Sequence, residues 1–127
     1  MKTVLLVEDE PGISTLLAAA LEDEGYRVVT AANGEEALSC ITEAAPDVLV
    51  LDYMMPLLDG PSTAHKVRLD PTHKDIPIIM MSAVGEHQVR ARFDDYAAFL
   101  QKPFPISALV QRVAELIEAD SHADEGS

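Results

Sequence analysis

The sequence predicts an α/β fold built on one parallel sheet of five strands, with helices packed on both faces. Three observations carry that expectation. Short apolar runs alternate with amphipathic stretches along the chain; Val48-Leu49-Val50-Leu51 is apolar at every position; and 127 residues suffice for one domain core. A strand without polar alternation is covered on both faces, which is a property of parallel sheets. Five strand–helix units in strict alternation imply right-handed crossovers and a doubly wound sheet.

The elements follow in order. Thr3 to Val7 is a β-branched-rich strand that stops at Glu8-Asp9-Glu10. From Pro11 the period changes, and Ile13, Leu16, Leu17, Ala20 and Leu21 mark one helical face. Pro11 suits the first helical turn and Gly25 a left-handed helix end. Arg27 to Ala31 is a second strand; Ala37, Leu38 and Ile41 mark a second helix closed by Pro46. The Val48 run is the third strand, ending at Asp52. Pro61 to Leu69 forms a third helix after Asp59-Gly60, and Ile76 to Met81 a fourth strand ending at Ser82. A polar helix is expected over Glu86 to Asp94, and a fifth strand over Ala97 to Leu100, just before Lys102. Ile106, Leu109, Val110, Val113 and Ile117 form the stripe of the last helix, with Pro105 at its start. The stripes of the first and last helices are expected to be core. Residues 2–118 therefore make the domain, and 119–127, without a large apolar residue, are expected to be an acidic disordered tail.

Composition narrows the function. The hydrophobic fraction of 48% supports a real core, while nine basic against 22 acidic residues leave a net charge of −13. That charge argues against direct nucleic-acid binding and against adsorption to anionic membranes. No apolar run approaches a bilayer span, and the N-terminal run meets Glu8 too soon for a signal peptide. A cytoplasmic protein is expected. The single cysteine, Cys40, excludes an internal disulfide and has no partner at metal-ligand spacing. His65, His73, His87 and His122 are scattered and are expected at the surface.

In doubly wound sheets ligands bind outside the carboxyl ends of the strands. Those ends carry Glu8 and Asp9, Asp52, Ser82 and Lys102. Each alone has an ordinary explanation as a helix cap, a turn former or a surface lysine. Together they are a chemical set. Clustered carboxylates raise one another's pKa unless a cation sits among them. Oxygen ligands with a phosphate partner suit Mg²⁺, with Mn²⁺ able to substitute. A carboxylate nucleophile, a divalent cation, an ammonium and a hydroxyl suffice for phosphoryl transfer to an aspartate.

Val7-Glu8-Asp9, Leu51-Asp52-Tyr53-Met54-Met55-Pro56 with Asp59-Gly60, Met81-Ser82-Ala83 and Lys102-Pro103-Phe104 resemble the receiver domain of bacterial two-component response regulators. The resemblance covers residues 2–118 and implies a CheY-like, flavodoxin-like fold in three layers, α/β/α. It implies that Asp52 accepts the phosphoryl group from a histidine kinase or a histidine phosphotransfer protein. It further implies Mg²⁺ held by Asp9, by Glu8 through water, by Asp52 and by the backbone carbonyl of Met54. Lys102 and Ser82 take the positions that bind the phosphoryl group, and Phe99 the aromatic switch position. The Lys102-Pro103 bond is expected to be cis. Met54 and Val84 border the site of hydrolysis, and both are apolar, so slow phosphate loss is expected. Lys102, at a loop edge, is expected to matter more for transfer than for folding. The output is a phosphorylation-dependent contact with a downstream protein or output domain, or a homodimer through the fourth helix, fifth strand and fifth helix.

The sequence also departs from that pattern. The stretch between Ser82 and Lys102 is short, and Asp95-Tyr96 stands where Gly-Ala is common. A phosphohydrolase of the haloacid-dehalogenase type is disfavoured, because its second acid would fall at Met54. A flavodoxin-like cofactor binder is disfavoured by acids where a phosphate loop is needed. A receiver cut from a longer regulator or a hybrid kinase remains open alongside a stand-alone one.

Overall fold

The computed structural model describes the backbone of residues 1–125 and the side chains of residues 1–119. Five strands and five helices alternate: β1 (Thr3–Val7), α1 (Pro11–Asp23), β2 (Arg27–Ala31), α2 (Gly34–Ala44), β3 (Val48–Asp52), α3 (Gly60–Leu69), β4 (Ile78–Ser82), α4 (Glu86–Arg92), β5 (Ala98–Gln101) and α5 (Ile106–Glu125). All pairings are parallel, in the order β2-β1-β3-β4-β5.

The two faces of the sheet divide the apolar residues by parity, as the period of a strand requires. Leu5, Val7, Leu49, Leu51, Ile78 and Met80 join Ile41 of α2, Val67 of α3 and Val89 of α4 in one core. Val4, Leu6, Val48, Val50, Ile79 and Met81 meet Leu17 and Leu21 of α1 and Leu109 and Val113 of α5 in the other. Each such side chain contributes about 1.5–3 kcal/mol when fully buried. The central strands β1, β3 and β4 are buried throughout, and the edge strands β2 and β5 are not. The predicted doubly wound architecture is the observed one.

Several expectations need correction. The segment from 119, expected to be disordered, continues α5 as far as Glu125. It contains no proline, and its first glycine is Gly126, so a helix already nucleated on the core propagates through it. Residues 126 and 127 lie outside the described residues. α4 ends at Arg92 and not Asp94, because Phe93 turns to extended backbone and inserts its ring into the core. β4 begins at Ile78 and β5 at Ala98. Within the α1 stripe, Leu17 and Leu21 are core but Leu16 is exposed. His73 is buried, its Nδ1 3.0 Å from Asp70 Oδ2, so it is not a surface residue. The side chain of His122 lies outside the described residues.

Two residues sit in the left-handed region without being glycine: Ala45 at the end of α2 (φ 46°) and Leu57 in the β3–α3 loop (φ 67°). Both side chains are exposed, so neither gains packing in return. For an L-residue that conformation costs roughly 1–2 kcal/mol, against the greater chain entropy glycine loses on folding. Ala45→Gly and Leu57→Gly should therefore each stabilise the domain by about 0.5–1 kcal/mol in urea unfolding. A loss of stability in both would contradict this reading of the two positions.

Candidate functional site

The register of the sheet brings the strand ends together. Val7 pairs with Leu51, so Glu8 and Asp52 emerge side by side. Ser82 pairs with Gln101, so Lys102 emerges beside the end of β4. Ligand oxygens of Glu8, Asp9 and Asp52 lie within 4.8 Å of one another. Glu8 and Asp52 are 3% and 5% exposed, whereas Asp9 faces solvent.

Lys102 joins the two buried acids. Its Nζ donates to Glu8 Oε1 at 3.0 Å and to Oε2 at 3.1 Å, and lies 3.3 Å from Asp52 Oδ2. One ammonium thus faces two carboxylates. Burial, and then the neighbouring Glu8 carboxyl, push Asp52 up to about 8, more than Lys102 pulls it down. Burial alone would lower the Lys102 ammonium, but Glu8 and Asp52 hold it above its ordinary value. The lysine is therefore tied to a buried acid as well as to the site's nucleophile candidate. Removing it would leave Glu8 without its counter-ion, so the lysine bears on folding as well as on the site.

The remaining predicted residues surround this cluster. Ser82 is buried, and its Oγ accepts from the Val84 amide at 3.0 Å, which leaves the hydroxyl proton free to donate elsewhere. Lys102 is fixed from behind by its own amide, which donates to the Ser82 carbonyl at 2.7 Å. The Lys102-Pro103 bond is cis, as expected. Met54 is largely exposed, and Val84 is half-buried against the core. Phe99 is half-buried, 6.2 Å from the ring of Tyr96. No acid of the first loop caps α1; Glu10 occupies the cap position without a side-chain bond.

The β3–α3 loop is held at both ends. The Tyr53 amide donates to Met81 O at 2.8 Å, and the Gly60 amide returns to Tyr53 O at 2.9 Å. A side chain at position 60 would collide with the backbone of Asp52, so glycine is required for this close approach. Asp59 caps α3 by accepting from the Ser62 amide at 2.9 Å. Its other oxygen accepts from Arg92 Nη1 at 2.9 Å. Burial works against its charge, yet the Ser62 amide and Arg92 hold Asp59 below the usual carboxylate range.

Sequence reasoning missed the arginines. Arg92 lies 33 positions from Asp59, and its guanidinium carbon stands 5.9 Å from the centre of the Tyr53 ring. Arg68 of α3 donates to the Asp95 carboxylate at 2.8 Å, to Asp95 O at 2.9 Å and to Ile76 O at 2.7 Å. Both members of the Asp95-Tyr96 pair have partners. Asp95 receives Arg68, and the Tyr96 hydroxyl donates to Glu86 at 2.6 Å. Only the side-chain types were legible, since no local spacing links residues this far apart.

Two openings flank the site. One, of about 410 Å³, is lined by Asp9, Tyr53, Met54, Asp59 and Arg92 among others. The other, of about 430 Å³, is apolar and runs from Lys102 past Phe104 and Ile106 to Ile13 and Leu16. Among the described residues no helix is long and apolar enough to cross a membrane.

Comparison with known proteins agrees with this geometry. Residues 4–114 match the response regulator receiver domain family. The chain is 34% identical over 119 residues to the DNA-binding dual master transcriptional regulator RpaA of Synechocystis, covering 92% of this chain and 49% of that protein. It thus spans about half the length of the curated relatives it matches. The structure of the chemotaxis protein CheY4 of Vibrio cholerae superposes with a TM-score of 0.86 at 30% identity, covering 91% of this chain and 98% of that one. The response regulator TrrA of Thermotoga maritima, in complex with Mg²⁺-BeF, gives a TM-score of 0.81 at 34% identity, covering 91% and 99%. With strands, site and family model in agreement, the chain belongs to the CheY-like receiver domains of two-component response regulators.

Proposed function

We propose that Asp52 is the phosphoacceptor of a Mg²⁺-dependent receiver and takes its phosphoryl group from a histidine kinase or a histidine phosphotransfer protein. The observation that carries this reading is the buried pair Glu8–Asp52 sharing one lysine, with Asp9 beside it. Three carboxylates within 4.8 Å form a hard-oxygen donor set that fits Mg²⁺, with the Met54 carbonyl as a further ligand and Mn²⁺ as a substitute. The ion, when bound, neutralises the acids and the incoming phosphoryl oxygens. The complex of TrrA with Mg²⁺-BeF supports the same chemistry here.

In the reaction an Asp52 carboxylate oxygen attacks phosphorus and the phosphorus–nitrogen bond to the donor histidine breaks. The bonding pair stays on the imidazole nitrogen, which takes a proton from solvent. Lys102 transfers its ammonium from Asp52 to a phosphoryl oxygen and keeps Glu8 as its second partner. Ser82 supplies its free proton to another phosphoryl oxygen, and Phe99 follows that movement inward from its half-buried position. The apolar groove from Lys102 to Leu16 offers the donor protein a surface directly beside the acceptor. The output acts through α4, β5 and α5 on a downstream protein, an output domain or a second copy, in the cytoplasm. Given the half-length match to transcriptional regulators, an output domain outside residues 2–118 is the favoured arrangement, and direct nucleic-acid contact by this domain is not part of the proposal.

One labelling experiment tests acceptor, metal and lifetime together. Acetyl phosphate should phosphorylate the protein with Mg²⁺, not in EDTA, and not in Asp52→Asn. Met54 and Val84 have no group that orients water, so Met54→Asn with Val84→Glu should speed phosphate loss on the order of 10-fold. Labelling of Asp52→Asn, or equal labelling in EDTA, would refute the assignment. Equal decay in the double variant would refute the role of the two apolar side chains.

The raised Asp52 value also predicts a pH dependence. An acid whose folded-state pKa is raised to about 8 holds its proton in the folded protein at pH values where the unfolded chain has already lost it. Its contribution to stability is complete below the unfolded value and disappears as pH rises through about 8. Asp52→Asn, neutral at every pH, should therefore be more stable than the unmodified protein at pH 8–9 without Mg²⁺, with the difference shrinking toward pH 4. Equal denaturant midpoints at pH 9 would contradict this.

A further inference from the structure

We propose that Arg92, at the end of α4, is a positioning residue for the metal site, holding the β3–α3 loop in the conformation that binds the ion. The inference rests on the reading of Glu8, Asp9 and Asp52 as that site, and adds a residue outside it.

Arg92 is placed, not merely exposed. The His65 ring nitrogen lies 2.9 Å from the Arg92 carbonyl, and the next residue, Phe93, is buried with its ring 5.1 Å from that of His65. The backbone of Arg92 is thereby anchored to α3 and the core. From this anchor the guanidinium reaches back over the Tyr53 ring to Asp59. Tyr53 directly follows Asp52, and Asp59 precedes Gly60, whose Cα rests against the Asp52 backbone. Arg92 therefore grips both ends of the loop that contains Met54. It lines the same groove as Asp9 and Met54. Partners that orient metal ligands from outside the first layer of contacts change affinity by about 10–100-fold when removed.

Arg68 provides an internal comparison. It holds the α4–β5 connection through Asp95, yet none of its hydrogen bonds reaches the β3–α3 loop. Loss of Arg68 should weaken the fold without loosening the loop; loss of Arg92 should do the reverse.

The test titrates Mg²⁺ into unphosphorylated protein and follows backbone amide NMR shifts around Asp52. Arg92→Ala should remain folded and raise the Mg²⁺ dissociation constant about 10-fold, the lower end of that range. Arg92→Lys should recover part of the affinity, because an ammonium still pairs with Asp59. Arg68→Ala should leave the dissociation constant within about 2-fold while lowering the denaturant midpoint. In the unmodified protein the amides of residues 89–93 should shift together with those around Asp52, and in Arg92→Ala they should not. Unchanged Mg²⁺ affinity in folded Arg92→Ala, or an equal loss in Arg68→Ala, overturns the role of Arg92 alone. If the unmodified protein binds no Mg²⁺, the reading of the acidic cluster fails, and this inference with it.

Discussion

Two buried carboxylates, Glu8 and Asp52, share the single ammonium of Lys102 at the carboxyl edge of the sheet. Almost every other feature of the site follows from the need to keep this arrangement in place. Glu8 follows β1, Asp52 ends β3 and Lys102 follows β5; the parallel pairing brings those strand ends to one edge, and the order β2-β1-β3-β4-β5 sets β1 beside β3. One positive charge does not balance two buried negative ones, so the cluster retains a proton or recruits a cation. The proposed exchange of the Asp52 proton for a metal, followed by acceptance of a phosphoryl group, would be a direct use of that imbalance.

The surrounding polar contacts are arranged to support it from outside. Gly60 allows α3 to press on the Asp52 backbone, and Asp59 both caps that helix and receives Arg92. Arg68 on α3 and Arg92 at the end of α4 each tie a loop to a neighbouring element. Between Ser82 and Lys102, α4 stops at Arg92 and Phe93 fills the core beneath it. Two arginines thus bridge α3, the β3–α3 loop and the α4–β5 connection in a domain whose net charge is −13.

Much of this was legible in the sequence because it is periodic or sits at strand ends. The parity of Val4 to Val7 and of Val48 to Leu51 divides residues between two cores, and a polar residue after each run marks the edge that carries the candidate site. What could not be read were contacts across long separations. Arg92 meets Asp59 only once α4 has packed beside α3, and Asp95 looks like an ordinary loop acid until Arg68 reaches it. His73 and Leu16 exchanged the expected inside and outside for the same reason, since burial is decided by neighbours and not by residue type alone. The acidic segment from 119 was misread because composition alone weighs against order, whereas a helix anchored upstream extends through residues that would not start one.

The central claim is that Asp52 carries a proton in the metal-free protein because burial, and then the neighbouring Glu8 carboxyl, outweigh the pull of Lys102. Carbon-13 NMR of the Asp52 carboxyl group, titrated with pH, measures this directly. The account predicts a midpoint near 8 without Mg²⁺ and a fall toward the usual carboxylate range when Mg²⁺ saturates the site. A midpoint already in the usual carboxylate range without the ion would contradict it.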